Sequence, residues 1–359
     1  MNKRIFIVAF FAFLFLAGSV YAAIGITELR TEQLKNPLGI DVRQPRLGWH
    51  IESDEQNVMQ TAYHILVASS ADLLAQGKGD IWDSGKIESD ASQWIAYQGK
   101  PLKRNARYYW KVKVYTNRGE ADWSAPAFWS MGLLNEADWQ GQWIGLDRAA
   151  SGDSETQWSR LAARYLRKEF ALSREVKRAT VHIAGMGLYE LFINGQRIGD
   201  QVLAPAPTDY RKTILYNTYD VTPQLRKENA IGVTLGNGRF YTMRQNYKPY
   251  KIPTFGYPKL RLNLIVEYMD GSKETIATNT SWKLTTEGAI RSNNEYDGEE
   301  YDARKELGNW TQSGYDDKSW IAAQRVSIPS GTLRAQIMPG MKVMDTLKPV
   351  SIQKLGDKY

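Results

Sequence analysis

Apolar and polar residues alternate with period two along most of the chain. In Tyr108-Tyr109-Trp110-Lys111-Val112-Lys113-Val114-Tyr115, the residues Tyr108, Trp110, Val112 and Val114 share one face, and Tyr109, Lys111, Lys113 and Tyr115 take the other. That is the pattern of a half-buried strand rather than of a helix. Asn117-Arg118-Gly119 predicts a turn after it, and Trp123–Trp129 a further strand, with Pro126 placing it at an edge. Thr61–Ala68 is another β-rich stretch. Short strands separated by polar turns predict a β-sandwich of fibronectin type III character over residues 24–134.

Residues 135–154 read as a linker that carries Trp139 and Trp143 and runs into the polar stretch Ser151–Thr156. Strand patterns then resume at Tyr165–Phe170, Ala179–Ile183 and Leu188–Ile193. Asn194-Gly195 follows, a dipeptide that suits both positive-φ positions of a type I′ hairpin. Ile231–Gly238 reads as a strand entering a glycine turn, and Leu260–Tyr268 as a strand turned by Asp270-Gly271. This second all-β unit, residues 155–329, has the length of a jelly roll with long loops. Helix is minor, with a short turn expected near Leu73–Gln76.

Composition narrows the chemistry. The chain contains no Cys, which excludes disulfides, thiol nucleophiles and thiolate metal sites. Its net charge of +7 is spread along the chain with no run of five like charges, so no nucleic-acid-binding tract is read from it. Residues 1–23 combine the basic start Lys3-Arg4, the apolar run Ile5–Ala17 and the small residues Ala22-Ala23. That order predicts a secretory signal peptide and an exported protein, periplasmic or extracellular. No later run approaches eighteen apolar residues, so no membrane span is expected in the mature chain. The three histidines, His50, His64 and His182, lie apart in strand-like segments, a spacing that suits neither a zinc site nor a catalytic triad.

Several blocks resemble, in order, the bacterial α-L-rhamnosidases of glycoside hydrolase family 78. They include Asn36-Pro37-Leu38-Gly39-Ile40-Asp41, Pro45-Arg46-Leu47-Gly48-Trp49 and Trp82-Asp83-Ser84-Gly85-Lys86. Tyr189–Gly195, Leu235-Gly236-Asn237-Gly238, Gly298–Arg304 and Asp316–Trp320 are similar to the family's galactose-binding-like N-terminal domain. The resemblance implies a hydrolase that removes terminal α-L-rhamnose with inversion, acting on rhamnose-containing glycans or glycosides. It also implies that the catalytic carboxylates sit on a later (α/α)6 barrel. The chain is accordingly expected to be the non-catalytic N-terminal part and inactive alone. Residues 330–359 are expected to be the truncated start of the next β-domain, disordered or loosely docked.

Glu295, Asp297, Glu299, Glu300 and Asp302 form a dense acidic run. Glycoside hydrolysis needs two carboxyls facing each other across the bond, whereas neighbours on a strand point to opposite faces. Glu299, Asp302 and Arg304 are therefore expected to form a local salt-bridged loop. The resemblance implies sugar binding by the jelly roll, through a calcium ion in some family members. The positions carried over are Asn194, Asn237 and Glu190, with aromatic contacts from Tyr241 and Tyr247. Ile193 offers no oxygen where a second calcium ligand would be wanted, and Asn194 is also explained by its turn. A stand-alone carbohydrate-binding protein and a spacer without a ligand remain alternative readings.

Overall fold

The computed structural model describes residues 24–150, 161–242, 255–296, 298–351, 353 and 356. The expected signal peptide and Tyr247 lie outside them.

The period-two segment becomes the strand Arg107–Thr116, and its residues alternate between buried and half-buried as the pattern demands. It pairs antiparallel with Gln60–Ala68 on one side and Ala127–Ser130 on the other. Trp123–Pro126 stays outside this last strand, which begins only past the proline because Pro126 has no N–H for the ladder. Gly25–Thr31, Arg46–Glu52 and Ile95–Ala96 form the facing three-stranded sheet. Trp49, Trp110 and Trp129 are fully buried between the sheets.

The second domain is a sandwich of a six-stranded and a seven-stranded sheet. Leu260, Leu262, Leu264 and Val266 of the strand Lys259–Tyr268 enter its core with Val181, Ile183, Val233 and Leu235. Arg261 and Asn263 between them are buried as well. Arg261 donates to Gly141 O (2.7 Å), and Asn263 accepts from the Gly141 N–H (2.8 Å). Ile144–Gly145, inside the expected linker, already pairs with Lys259–Leu260 as a strand of this sheet. The alternation at 260–264 therefore marks two covered faces, one against the core and one against this connecting segment.

Arg167, also buried, clamps the far end of the chain. Its guanidinium donates to Trp310 O (2.9 Å) and Gln312 O (3.0 Å) and pairs with Asp317. The first part of the tail departs from expectation, whereas residues 343–350 are exposed and belong to no strand or helix. Thr332–Ala335 adds a parallel strand beside Thr213–Tyr216, and the Val202 N–H donates to Met341 O (2.9 Å). Ile337 packs into both domains. Sequence periodicity misses this strand because its partner lies some 119 residues away and only Ala335 of the four is buried.

The domains meet at a tight polar seam. His182 is fully buried, with Nε2 3.1 Å from Asn105 Oδ1 of the first domain and Nδ1 2.9 Å from Thr218 Oγ1. Asn105 accepts through its oxygen, so Nε2 carries the proton and Nδ1 accepts from the threonine hydroxyl. Beside it, Tyr216 OH donates to Leu133 O and accepts from the Leu133 N–H, both at 3.2 Å. A Cβ on Gly132 would fall 2.2 Å from that hydroxyl, and one on Gly39 1.9 Å from Thr218 Oγ1. Arg107 pairs with Asp220 across the same boundary at 2.8 Å.

Burial, reinforced by the Arg178 charge, pulls the His182 pKa down from 6.5 to about 3. Between these values the unfolded chain binds more protons than the folded one, so this contribution is complete above pH 6.5 and lost as pH falls toward 3. Two pH units below 6.5 correspond to about 2–3 kcal/mol. Urea midpoints at pH 7.5 and pH 4.5 check this. The native chain should lose that much more stability on acidification than His182→Gln, and equal losses would show that His182 does not carry the effect.

Candidate functional site

The candidate residues lie along one pair of strands. Leu188–Ile193 pairs with Glu228–Gly236 from Leu188↔Gly236 to Ile193↔Ile231. Asn194 follows one end of this ladder and Asn237 the other, which sets them about 20 Å apart along the strands. They do not share a site.

At the Asn194 end, positive φ at Asn194 (51°) and Gly195 (82°) makes the hairpin expected from the sequence. The Asn194 amide is used internally. Nδ2 donates to Gln224 O (2.8 Å) and Asn229 Oδ1 (2.9 Å), and Oδ1 accepts from the Ala230 N–H (2.9 Å). Glu190, exposed in mid-strand, pairs with Arg197 at 3.1 Å.

At the other end, glycines let two backbones close on each other. A Cβ on Gly187 would stand 2.1 Å from Gly236 O, and one on Gly238 2.6 Å from the Leu188 side chain. Asn237 lies beneath this turn, only 2% exposed. Its N–H donates to Asn293 Oδ1 (2.6 Å), its Nδ2 to Leu161 O (2.8 Å), and its carbonyl receives the Phe240 and Tyr241 N–H groups. Asn237 Oδ1 and Asn293 Nδ2 are buried without partners, which leaves one spare acceptor and one spare donor at this rim. Tyr241 is buried and stacks on Tyr257, with ring centres 5.7 Å apart. Asn293 escaped the sequence reading, since nothing in Ser292-Asn293-Asn294 signals a contact with residue 237 across 56 positions.

The acidic run lies next to this rim on a two-stranded ribbon, Ile290–Asn294 against Gly298–Tyr301, whose second strand is exposed throughout. Asp302 holds Arg304 with two 2.8 Å hydrogen bonds, and that contact lowers its pKa to about 2. The local loop therefore forms around this pair. Glu299 sits across from Asn293 in the ribbon, and Glu295 pairs with Arg239 at 3.6 Å.

A calcium ion takes six to eight oxygens. Around the turn, Asn293 Oδ1 already accepts from Asn237, and among the described residues no three His, Cys, Asp or Glu side chains converge on a metal position. The described residues around this turn do not by themselves assemble a calcium shell. A larger cleft of about 1020 Å³ lies between the domains, lined by Lys103, Arg107, Tyr109, Arg178, Asp220 and Glu267 among others. Its charges are largely spent on the seam: Arg107 on Asp220, and Arg178 with Lys273 on Glu267.

Fold and site together define a two-domain β module whose candidate residues are divided between the two ends of one strand pair. Comparison with known proteins gives its family. Residues 26–135 match the model of the Rha78A-like N-terminal immunoglobulin domain, and residues 174–345 that of the α-L-rhamnosidase N-terminal domain. The two domains are those of the N-terminal region of the family 78 α-L-rhamnosidases.

An α-L-rhamnosidase of Formosa agariphila is 39% identical over 90% of this chain, and one from Alteromonas sp. (strain LOR) 33% identical, also over 90%. The chain spans 36% of each. Among solved structures, the α-L-rhamnosidase from Dictyoglumus thermophilum superposes with a TM-score of 0.82 at 39% identity, over 91% of this chain and 37% of that one. The Streptomyces avermitilis α-L-rhamnosidase, solved in complex with L-rhamnose, gives 0.78 at 25% identity, over 88% and 46%.

Because both asparagines act inside the fold, Asn194→Ala and Asn237→Ala should each lower stability by about 1–3 kcal/mol, as expected when buried partners are stranded. At Asn237 the buried partner left stranded is Leu161 O. Denaturant titration of both variants checks this, and native midpoints would contradict it.

Proposed function

We propose that residues 24–359 are the N-terminal, non-catalytic platform of an exported α-L-rhamnosidase that removes terminal α-L-rhamnose, with inversion, from plant polysaccharides or glycosides. The observation that carries the reading is colinear similarity through both domains, at 39% identity over 90% of the chain, to proteins described as α-L-rhamnosidases. The architecture supports the non-catalytic role. Inversion needs two carboxyls about 6.5–9.5 Å apart across the bond. The acidic ribbon instead presents its carboxylates to solvent or spends them on neighbouring arginines. Export rests on the basic, apolar and small-residue order of residues 1–23.

Of the candidate sugar contacts, the rim at Asn237 and Tyr241 suits a rhamnose hydroxyl better than Asn194 does. Asn237 Oδ1 and Asn293 Nδ2 keep a spare acceptor and a spare donor there, whereas the Asn194 amide is fully engaged, and Tyr241 stacks on Tyr257 nearby. Binding there would be weak, because a monosaccharide buries little surface and meets few groups.

Purified chain beginning at Ile24 should release no rhamnose from an aryl α-L-rhamnoside. Calorimetry with L-rhamnose should show weak heat that EDTA leaves unchanged. Turnover by the homogeneous chain would overturn the non-catalytic reading, and heat abolished by the chelator would overturn binding without metal.

A further inference from the structure

The first domain carries a feature unrelated to the glycine turn. Trp94 adopts φ 61°, in the left-handed region that a bulky side chain rarely enters, and its indole is 55% exposed. Neighbouring bonds fix the backbone on either side. Trp49 N–H donates to Ser92 O (3.0 Å), Gln93 Nε2 donates to Trp49 O (2.7 Å), and Ile95 enters the sheet opposite Leu47. One ring face is occupied by the Arg46 guanidinium, 4.3 Å from the ring centre. Arg46 is itself held by a carboxylate built for the purpose. The Glu32 side chain is 1% exposed and accepts from the Arg46 N–H (2.6 Å), Nε (3.1 Å) and Nη2 (2.5 Å). Glu32 and Gln33 also have positive φ, at 51° and 64°.

Strained backbone of this kind costs about 1–3 kcal/mol per residue and persists where surrounding structure enforces it, often at binding sites. Here it turns a large apolar ring outward and backs it with a fixed cation. Of the three Arg46 guanidinium nitrogens, Nε and Nη2 are engaged by Glu32 and Nη1 has no hydrogen-bond partner among the described residues. We propose that Trp94 and Arg46 form a binding site for a neutral pyranoside, distinct from the second domain's rim. The sugar's apolar C–H face lies on the open side of the indole, and Nη1 donates to a ring hydroxyl.

Two observations favour this occupant. Glu32 neutralises Arg46, so the site has no net charge to hold a uronate or a sulfate. The patch is a single ring. The other exposed large apolar side chains of this domain, Met59 and Ile87, belong to the opposite sheet's strands and their approaches. A protein interface would need roughly 800 Å² from each partner, whereas one indole matches one sugar ring.

The test is indole N–H NMR of the chain from Ile24, with the Trp94 resonance assigned by its loss in Trp94→Tyr. Titration with methyl α-L-rhamnopyranoside or methyl β-D-glucopyranoside should move that resonance saturably in the millimolar range, and methyl β-D-glucuronide should bind no tighter. Calorimetric affinity should fall at least tenfold in Trp94→Ala and only a few-fold in Trp94→Tyr, with melting temperatures at or above the native value. An unmoved Trp94 resonance with every glycoside would overturn the proposal, and so would equal affinity in Trp94→Ala. A shift that follows protein concentration instead of sugar would assign the ring to self-association and overturn it as well. Because the NMR readout is confined to Trp94 and the calorimetric comparison changes only that residue, each of these failures leaves the rhamnosidase reading intact.

Discussion

The architecture depends on a neutral histidine held between two domains. His182 is fully buried and satisfies Asn105 from one sandwich and Thr218 from its own. The surrounding seam is so close that Gly39 and Gly132 are required for lack of a side chain. An orphaned polar group at such a depth costs about 1–3 kcal/mol, so partial separation is penalised strongly. The flanking Arg107–Asp220 and Arg178–Asn105 contacts widen the join, and Ile337 adds an apolar residue shared by both cores. Two sandwiches thereby become one body, whose surface features keep fixed relative positions.

This geometry also explains where binding capacity is left. The Asn194 amide and the charges of Arg107, Asp220, Arg178 and Glu267 in the interdomain cleft are engaged within the fold, and on the acidic ribbon Asp302 pairs with Arg304 and Glu295 with Arg239. Among the described residues, an amide acceptor and an amide donor stay unpaired below the glycine turn, and an exposed indole stands beside a spare guanidinium N–H. Weak multivalent contact with a glycan chain suits such sparse groups, since linked modest sites gain through effective concentration.

Much of the fold was legible in the sequence. The strand at 107–116, the Asn194-Gly195 hairpin and the strand at 259–268 follow from local alternation and turn chemistry, which residue order encodes directly. What stayed hidden depends on distant partners. His182 and Asn105 are separated by 77 positions, and Asn237 and Asn293 by 56. The parallel strand at 332–335 joins a neighbour far upstream, and Ile144–Gly145 is too short to show a period. Asn194 and Asn237 were carried over together from the family resemblance, which follows residue order and not distance in space. The register separating them is a property of the sheet, not of either turn. Trp94 gave no signal, because positive φ in a tryptophan is imposed by its surroundings.

Scanning calorimetry of the chain from Ile24 at pH 7.5 tests most directly whether the seam makes the two domains one cooperative unit. The account predicts a single transition whose calorimetric and van't Hoff enthalpies agree. Two resolved transitions, or a calorimetric enthalpy about twice the van't Hoff value, would show that each sandwich melts alone and would contradict it.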